Sequence, residues 1–134
     1  MPIYLAAESE LMIGQDLVLE GPAHEGSLVA VFEDDGTTGY FYALDTDTEG
    51  NPIQDALHIY DVEDVIDRDK PSVVRIGWSM DHRKALLLIN GNPHAVFDFD
   101  NKQGYCRTGF PPPINRIWSK NGHDWRDDVL GLFG

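Results

Sequence analysis

The stretch Ser72-Val-Val-Arg-Ile-Gly-Trp78-Ser-Met80 … Lys84-Ala-Leu-Leu-Leu-Ile-Asn90-Gly-Asn-Pro-His94-Ala-Val-Phe-Asp-Phe99 decides the fold. It reads as three consecutive antiparallel strands, Ser72 to Met80, Lys84 to Asn90 and His94 to Phe99. The connections Asp81-His82-Arg83 and Asn90-Gly91-Asn92-Pro93 are rich in turn formers. In the first strand Val74, Ile76 and Trp78 share a face; in the third Ala95, Phe97 and Phe99 do, with His94 and Asp98 opposite. The middle strand, Ala85 to Ile89, is apolar at every position and therefore belongs in the interior of a sheet with both faces covered.

Upstream, Ser27 to Phe32 and Thr37 to Leu44 form a β-branched and aromatic pair of runs joined through Asp35-Gly36, the signature of a hairpin. Ala56 to Val62 alternates well enough for a strand. A helix starting at Pro52 after an Asn51 cap is the rival, because Ile53, Leu57 and Tyr60 also lie at helical spacing. Asp61 to Arg68 suits one or two helical turns capped by Asp61 and stopped by Lys70-Pro71. Downstream, Gly104 to Phe110 adds a further strand that Pro111-Pro112-Pro113 must end. Trp125, Val129, Leu132 and Phe133 then fall on one stripe of a short helix, with Asp124, Asp127 and Asp128 in its first turn. The expected fold is α+β. It is a single globular domain, residues 1–134, with a twisted, mainly antiparallel sheet of six or so strands and the C-terminal helix packed on it.

Charge is distributed unevenly. The net charge is −13, and the first basic residue is Arg68. Residues 1–67 carry 16 acids and no Lys or Arg, whereas residues 68–134 carry 7 acids and 10 bases. This balance argues against nucleic acid and anionic membranes as partners, since both are bound through Lys and Arg. It points instead to a basic protein partner. Two acidic loops are the candidate contact residues: Glu33, Asp34 and Asp35, then Asp45, Asp47 and Glu49. No apolar run approaches the roughly 20 residues of a membrane span, and the N-terminus lacks a basic region typical of a secretory signal. With Cys106 as the single cysteine, no intrachain disulfide forms, which suits the cytoplasm.

No catalytic or cofactor motif is present, and neither a cofactor nor a metal is expected. Asp45, Asp47, Glu49 and Gly50 match the first half of a calcium loop, but Ala56 stands where the bidentate glutamate belongs. The five histidines lack the paired spacing of a metal site. A small enzyme or ligand-binding site is the alternative, assembled near His94, Asp98 and Arg107 with Trp78 at hand. Cys106 beside Arg107 reads as a small buried hydrophobe, because neighbouring strand residues face opposite ways. A third reading is a DNA-mimicking inhibitor, which needs acids spaced like phosphates. Oligomeric state is not readable from the chain.

The run Ala85-Leu-Leu-Leu-Ile-Asn90-Gly, with His94-Ala-Val-Phe-Asp98-Phe99, Gly104-Tyr-Cys-Arg107-Thr-Gly-Phe110-Pro and His123-Asp-Trp125, resembles a family of small conserved bacterial proteins of unknown function. The resemblance runs through most of residues 26–133 and implies no activity, so no residue inherits a role. Small acidic bacterial proteins also include immunity proteins and antitoxins, a class-level analogy for a non-enzymatic binding module.

Overall fold

The structure, a computed structural model, describes residues 2–113 and 116–133. Among the described residues nine strands run β1 (Ile3–Leu11), β2 (Leu17–Pro22), β3 (Leu28–Asp34), β4 (Thr38–Asp45), β5 (Ile53–Asp61), β6 (Ser72–Ser79), β7 (Lys84–Ile89), β8 (Asn92–Asp98) and β9 (Gln103–Cys106). They form two antiparallel sheets, a five-stranded one ordered β1-β6-β7-β8-β9 and a four-stranded one ordered β2-β3-β4-β5. The sheets face each other across one apolar core. Phe41 of the smaller sheet stacks on Phe97 of the larger at 5.1 Å between ring centroids. Trp78, wholly buried, donates its indole N–H to the Gly21 carbonyl at 2.9 Å, a direct tie from β6 to β2. The approach there is close: a Cβ on Gly21 would lie 2.7 Å from the Ile76 side chain.

The three central strands form as their sequence dictates. Asn90 and Gly91, both at positive φ, make the two-residue turn between β7 and β8 that suits sheet twist. Strand β7 is interior, with Leu87 in the core between the sheets and Leu86 in a smaller cluster on the outer side. Residues 53–61 are a strand, so the helical alternative fails there, and a single 3-10 turn at Val62–Asp64 follows Asp61.

The α+β expectation is overturned. The described residues contain no α-helix, and two sheets replace one. The C-terminal stripe is real but not helical: Val129–Phe133 is a 3-10 turn, and Asp124 is drawn into a parallel bridge with Cys106. A helix of this length is marginal without tertiary support, and here the support goes to an extended edge instead. Val129 and Phe133 still bury against Leu86 and Val96, covering the outer face of the larger sheet.

Trp125 is only partly buried, beneath the Arg107 guanidinium at 4.0 Å. Trp78→Ala is therefore expected to cost about 3–5 kcal/mol and Trp125→Ala distinctly less. Denaturant midpoints should fall in the order wild type, Trp125→Ala, Trp78→Ala. The reverse order would show that the C-terminal segment, not the space between the sheets, carries the stability.

Candidate functional site: an open acidic and aromatic face

The two sheets differ in what covers them. The larger sheet has the C-terminal segment across its outer face, whereas among the described residues the outer face of the smaller sheet is open apart from Phe110 and Pro111 beside Tyr40 and His58 at its β5 end. Its strand register builds three cross-strand rows. One row is Val18, Glu33, Tyr40 and His58; the next is Glu20, Val31, Tyr42 and Ala56; the third is Pro22, Val29, Leu44 and Ile53. The alternate residues Ala30, Phe32, Phe41 and Ala43 point into the core. The outer face thus combines apolar and tyrosine side chains with two glutamates, and no Lys or Arg stands on it. Val18 is 58% exposed and Ile53 38% exposed. A shallow groove of about 260 Å³ runs between Val18, Val31, Glu33, Tyr42, Leu44 and Ile53.

At the middle of this face Tyr40 and Tyr42 stack, with ring centroids 5.8 Å apart and planes inclined by 19°. His58 meets the Tyr40 ring edge-on at 5.5 Å. Partial burial pushes the Tyr42 phenol above its ordinary pKa, and the negative charge of Glu33 adds to the shift. Glu33 therefore sits within electrostatic reach of the ring.

The six acids expected to hold a partner do not act together. Strand β4 separates the two loops by roughly 24 Å at about 3.4 Å per residue, well beyond the screening distance of about 8 Å. Glu33 lies on the open face. Asp34 is buried, 1% exposed, and accepts hydrogen bonds from the backbone N–H groups of Gly14 and Gly36 and from the Tyr60 hydroxyl. Held by these three donors, it acts as a structural clamp from a buried position. Asp35 caps its own turn: the N–H groups of Thr38 and Thr37 hold its carboxyl below the usual range. Asp45 accepts from the Ser27 hydroxyl and the Asp47 N–H, leaving Asp47 and Glu49 exposed at the loop tip.

The alternative site is not assembled. His94 sits at the irregularity where β8 shifts register against β7. Burial lowers its pKa, and the charge of Arg107 lowers it further. Asp98, buried, caps the β8–β9 turn through the N–H groups of Asp100 and Asn101 and the Asn101 side chain. Four residues of strand put it roughly 13 Å from His94. Arg107 is held by the Pro93 carbonyl and the Trp125 ring, and Trp78 lies in the core on the other side of the sheet. Burial raises the Cys106 thiol pKa, which makes it less reactive.

One linear arrangement does resemble a hydrolase relay. Thr108 Oγ1, His58 Nδ1, His58 Nε2 and Asp61 Oδ1 follow in sequence at 3.3 and 3.0 Å. The Thr108 hydroxyl, however, donates to the His58 carbonyl at 2.7 Å, the shorter contact. Its proton is committed to the backbone, so His58 has no nucleophile to activate. Among the described residues, no group of three or more His, Cys, Asp or Glu side chains is placed to hold a metal ion.

The model of a bacterial family, described as uncharacterized protein conserved in bacteria and designated DUF2251, matches residues 11–134. The chain belongs to this family. A relative from Haemophilus influenzae, itself described as an uncharacterized protein, is 40% identical over 121 residues, covering 88% of this chain and 74% of its own length. No solved structure matches. The DUF2251 match begins at the last residue of β1 and so spans the whole open face.

This DUF2251 chain also holds a buried ionic network that no sequence pattern announces. Asp55 of β5 and His123 are both 0% exposed, and His123 Nε2 lies 3.0 Å from each Asp55 carboxylate oxygen. Asp55 also accepts from the Ser119 hydroxyl at 2.6 Å and from the Ala56 N–H. The Nδ1 of His123 faces the Pro111 carbonyl at 2.5 Å. Both ring nitrogens thus face acceptors, and only the imidazolium donates to both. Burial opposes that charge, but the Asp55 carboxylate and the Pro111 carbonyl outweigh it, so the His123 pKa is raised. The partners stand 68 positions apart in the chain. The one local signal is an acid, Asp55, directly before the apolar pair Ala56-Leu57.

Because its folded pKa is raised, His123 contributes stability that is complete below about pH 6.5 and is lost as pH rises through the folded value. His94, with a lowered pKa, acts in the opposite sense and only as pH falls below that point. As pH rises above about 6.5, the wild-type unfolding free energy is therefore expected to decline. In His123→Gln that slope should flatten. Asp55→Ala, which leaves the buried His123 without its counter-charge and hydrogen-bond acceptor, should cost about 3–5 kcal/mol. Urea melts across this range check both; an equal slope in His123→Gln would remove His123 from the account.

Proposed function

We propose that this protein is a non-enzymatic binding module whose open sheet face receives a basic protein surface. The observation that carries this reading is the composition of that face. It joins an exposed apolar and tyrosine surface to Glu20 and Glu33, with no cation of its own, in the half of the chain that has no Lys or Arg before Arg68. Apolar area supplies affinity through burial, and complementary charge selects the partner and speeds its capture. The face is also flat, as protein interfaces are, rather than a deep polar pocket of the kind that holds a small ligand.

A second copy of the chain fits this face poorly. A two-fold contact through this face would gather the Glu20 and Glu33 carboxylates of both copies into one interface, between molecules that each carry a net charge of −13. A basic partner meets no such repulsion. The finer form of the proposal is an immunity-like role in the cytoplasm, in which a small acidic protein occludes a basic one. The buried, unpaired thiol of Cys106 is compatible with that reducing setting.

The test is a capture experiment from bacterial lysate with three baits: wild type, Glu20→Gln/Glu33→Gln, and Asp47→Asn/Glu49→Gln. The expected partner is basic, is released as salt rises, and is reduced at least about fivefold by the face variant, on the scale of about 1 kcal/mol per charged pair. The loop-tip variant should retain most of it. An acidic partner, or one equally retained by all three baits in high salt, would overturn the proposal and reduce the acidity to a solubility device.

A further inference from the structure

We infer that the Tyr40–Tyr42 stack and Glu33 form a recognition site for an arginine side chain of the partner, in preference to lysine. The inference depends on the reading of this face as a docking surface for a basic protein and names the group that it reads. Tyr40 and Tyr42 stand two residues apart on β4, so both rings leave the sheet on the same side. The two rings stack with their planes inclined by 19°, and both remain partly exposed. Glu33 is the direct cross-strand partner of Tyr40, and Val31 of Tyr42. A carboxylate and an apolar floor therefore adjoin the same pair of rings.

That combination suits a guanidinium. Arginine is planar and weakly hydrated, so it can lie on a tyrosine face while its N–H fork engages a carboxylate. A lysine ammonium is compact and strongly hydrated and gains less from the ring. The protein already uses this pairing within itself: on the other sheet, the Arg107 guanidinium lies 4.0 Å over the Trp125 ring. The tyrosine pair has the same aromatic surface with a carboxylate beside it, and the strand register brings no Lys or Arg of the chain onto that face. Arg68, the first cation in the chain, donates instead to the Val62 carbonyl beyond the end of β5. A guanidinium from outside completes the arrangement.

Hexa-arginine and hexa-lysine amides carry equal side-chain charge and differ only in the group presented. Titrated into the full chain at low salt, with tyrosine ring resonances as the readout, both should bind at the open face. Hexa-arginine should bind about 3- to 10-fold tighter, the range that cation–π contacts at partly exposed sites supply. Tyr42→Leu and Tyr40→Leu, both on the open face, should melt like wild type and lose that preference while keeping the charge-dependent binding common to both peptides. Glu33→Gln should weaken both peptides. Equal affinities in wild type, or a preference that survives both tyrosine variants, would overturn the arginine site and leave the basic-surface proposal standing. Failure of both peptides to shift any resonance of the face at low salt would overturn the two together.

Discussion

The architecture depends on one buried ion pair. Asp55 is a fully buried acid at the third position of β5, and burying it alone would cost several kcal/mol. His123, Ser119 and the Ala56 N–H satisfy its oxygens completely. The requirement pulls a segment 64 to 68 residues distant against the open side of the sandwich. Once there, residues 119–124 run along β9: the Cys106 N–H donates to the His123 carbonyl, and the Gly104 N–H to the Ser119 hydroxyl. The free edge of β9 is thereby covered, which removes a template for unwanted strand pairing. Thr108 and Phe110 do the same for β5 through His58.

Anchoring the C-terminal segment there also decides which sheet it can cover. From Asp124 the chain continues over the larger sheet, where Trp125, Val129 and Phe133 meet Leu86 and Val96. The smaller sheet receives nothing comparable. Its outer face is the surface left over by the ion pair, and its chemistry comes from the acidic half of the chain. The charge asymmetry along the sequence thus becomes an asymmetry in space, with the first cation, Arg68, held beyond the end of β5 by the Val62 carbonyl.

Much of the strand content was legible because it is written locally. The central strands β6 to β8 carry unbroken apolar patterns and turn pairs, and β7 announces its interior position by having no polar side chain between Lys84 and Asn90. The N-terminal strands escaped notice for a physical reason. In β1 the register shifts between Leu5 and Ala7, so the alternation that marks a strand is interrupted. In β2 Val18 is apolar yet faces outward, which erases the contrast between faces. The C-terminal stripe was read as a helix because a spacing of four positions suits a helix, while the bond that prevents one, Asp124 with Cys106, lies outside any local window. Of the acidic candidates, Glu33 lies on the outer face of the smaller sheet. Asp34 differs from it by a single residue, and strand alternation turns that residue into the core.

That one-residue difference bears on how the face functions. Acidic character in this chain serves two ends that composition cannot separate. Asp34 and Asp55 are enclosed by donors and hold the fold; Glu20 and Glu33 stand among apolar side chains and face water. An exposed apolar sheet surface ordinarily invites self-association. Here each copy carries strong negative charge and two glutamates within that surface, so the like-charged approach of a second copy is opposed while a basic surface is drawn in. The glutamates therefore do more than add affinity. They place negative charge within an apolar surface, so that contact with it is selected by sign as well as by area.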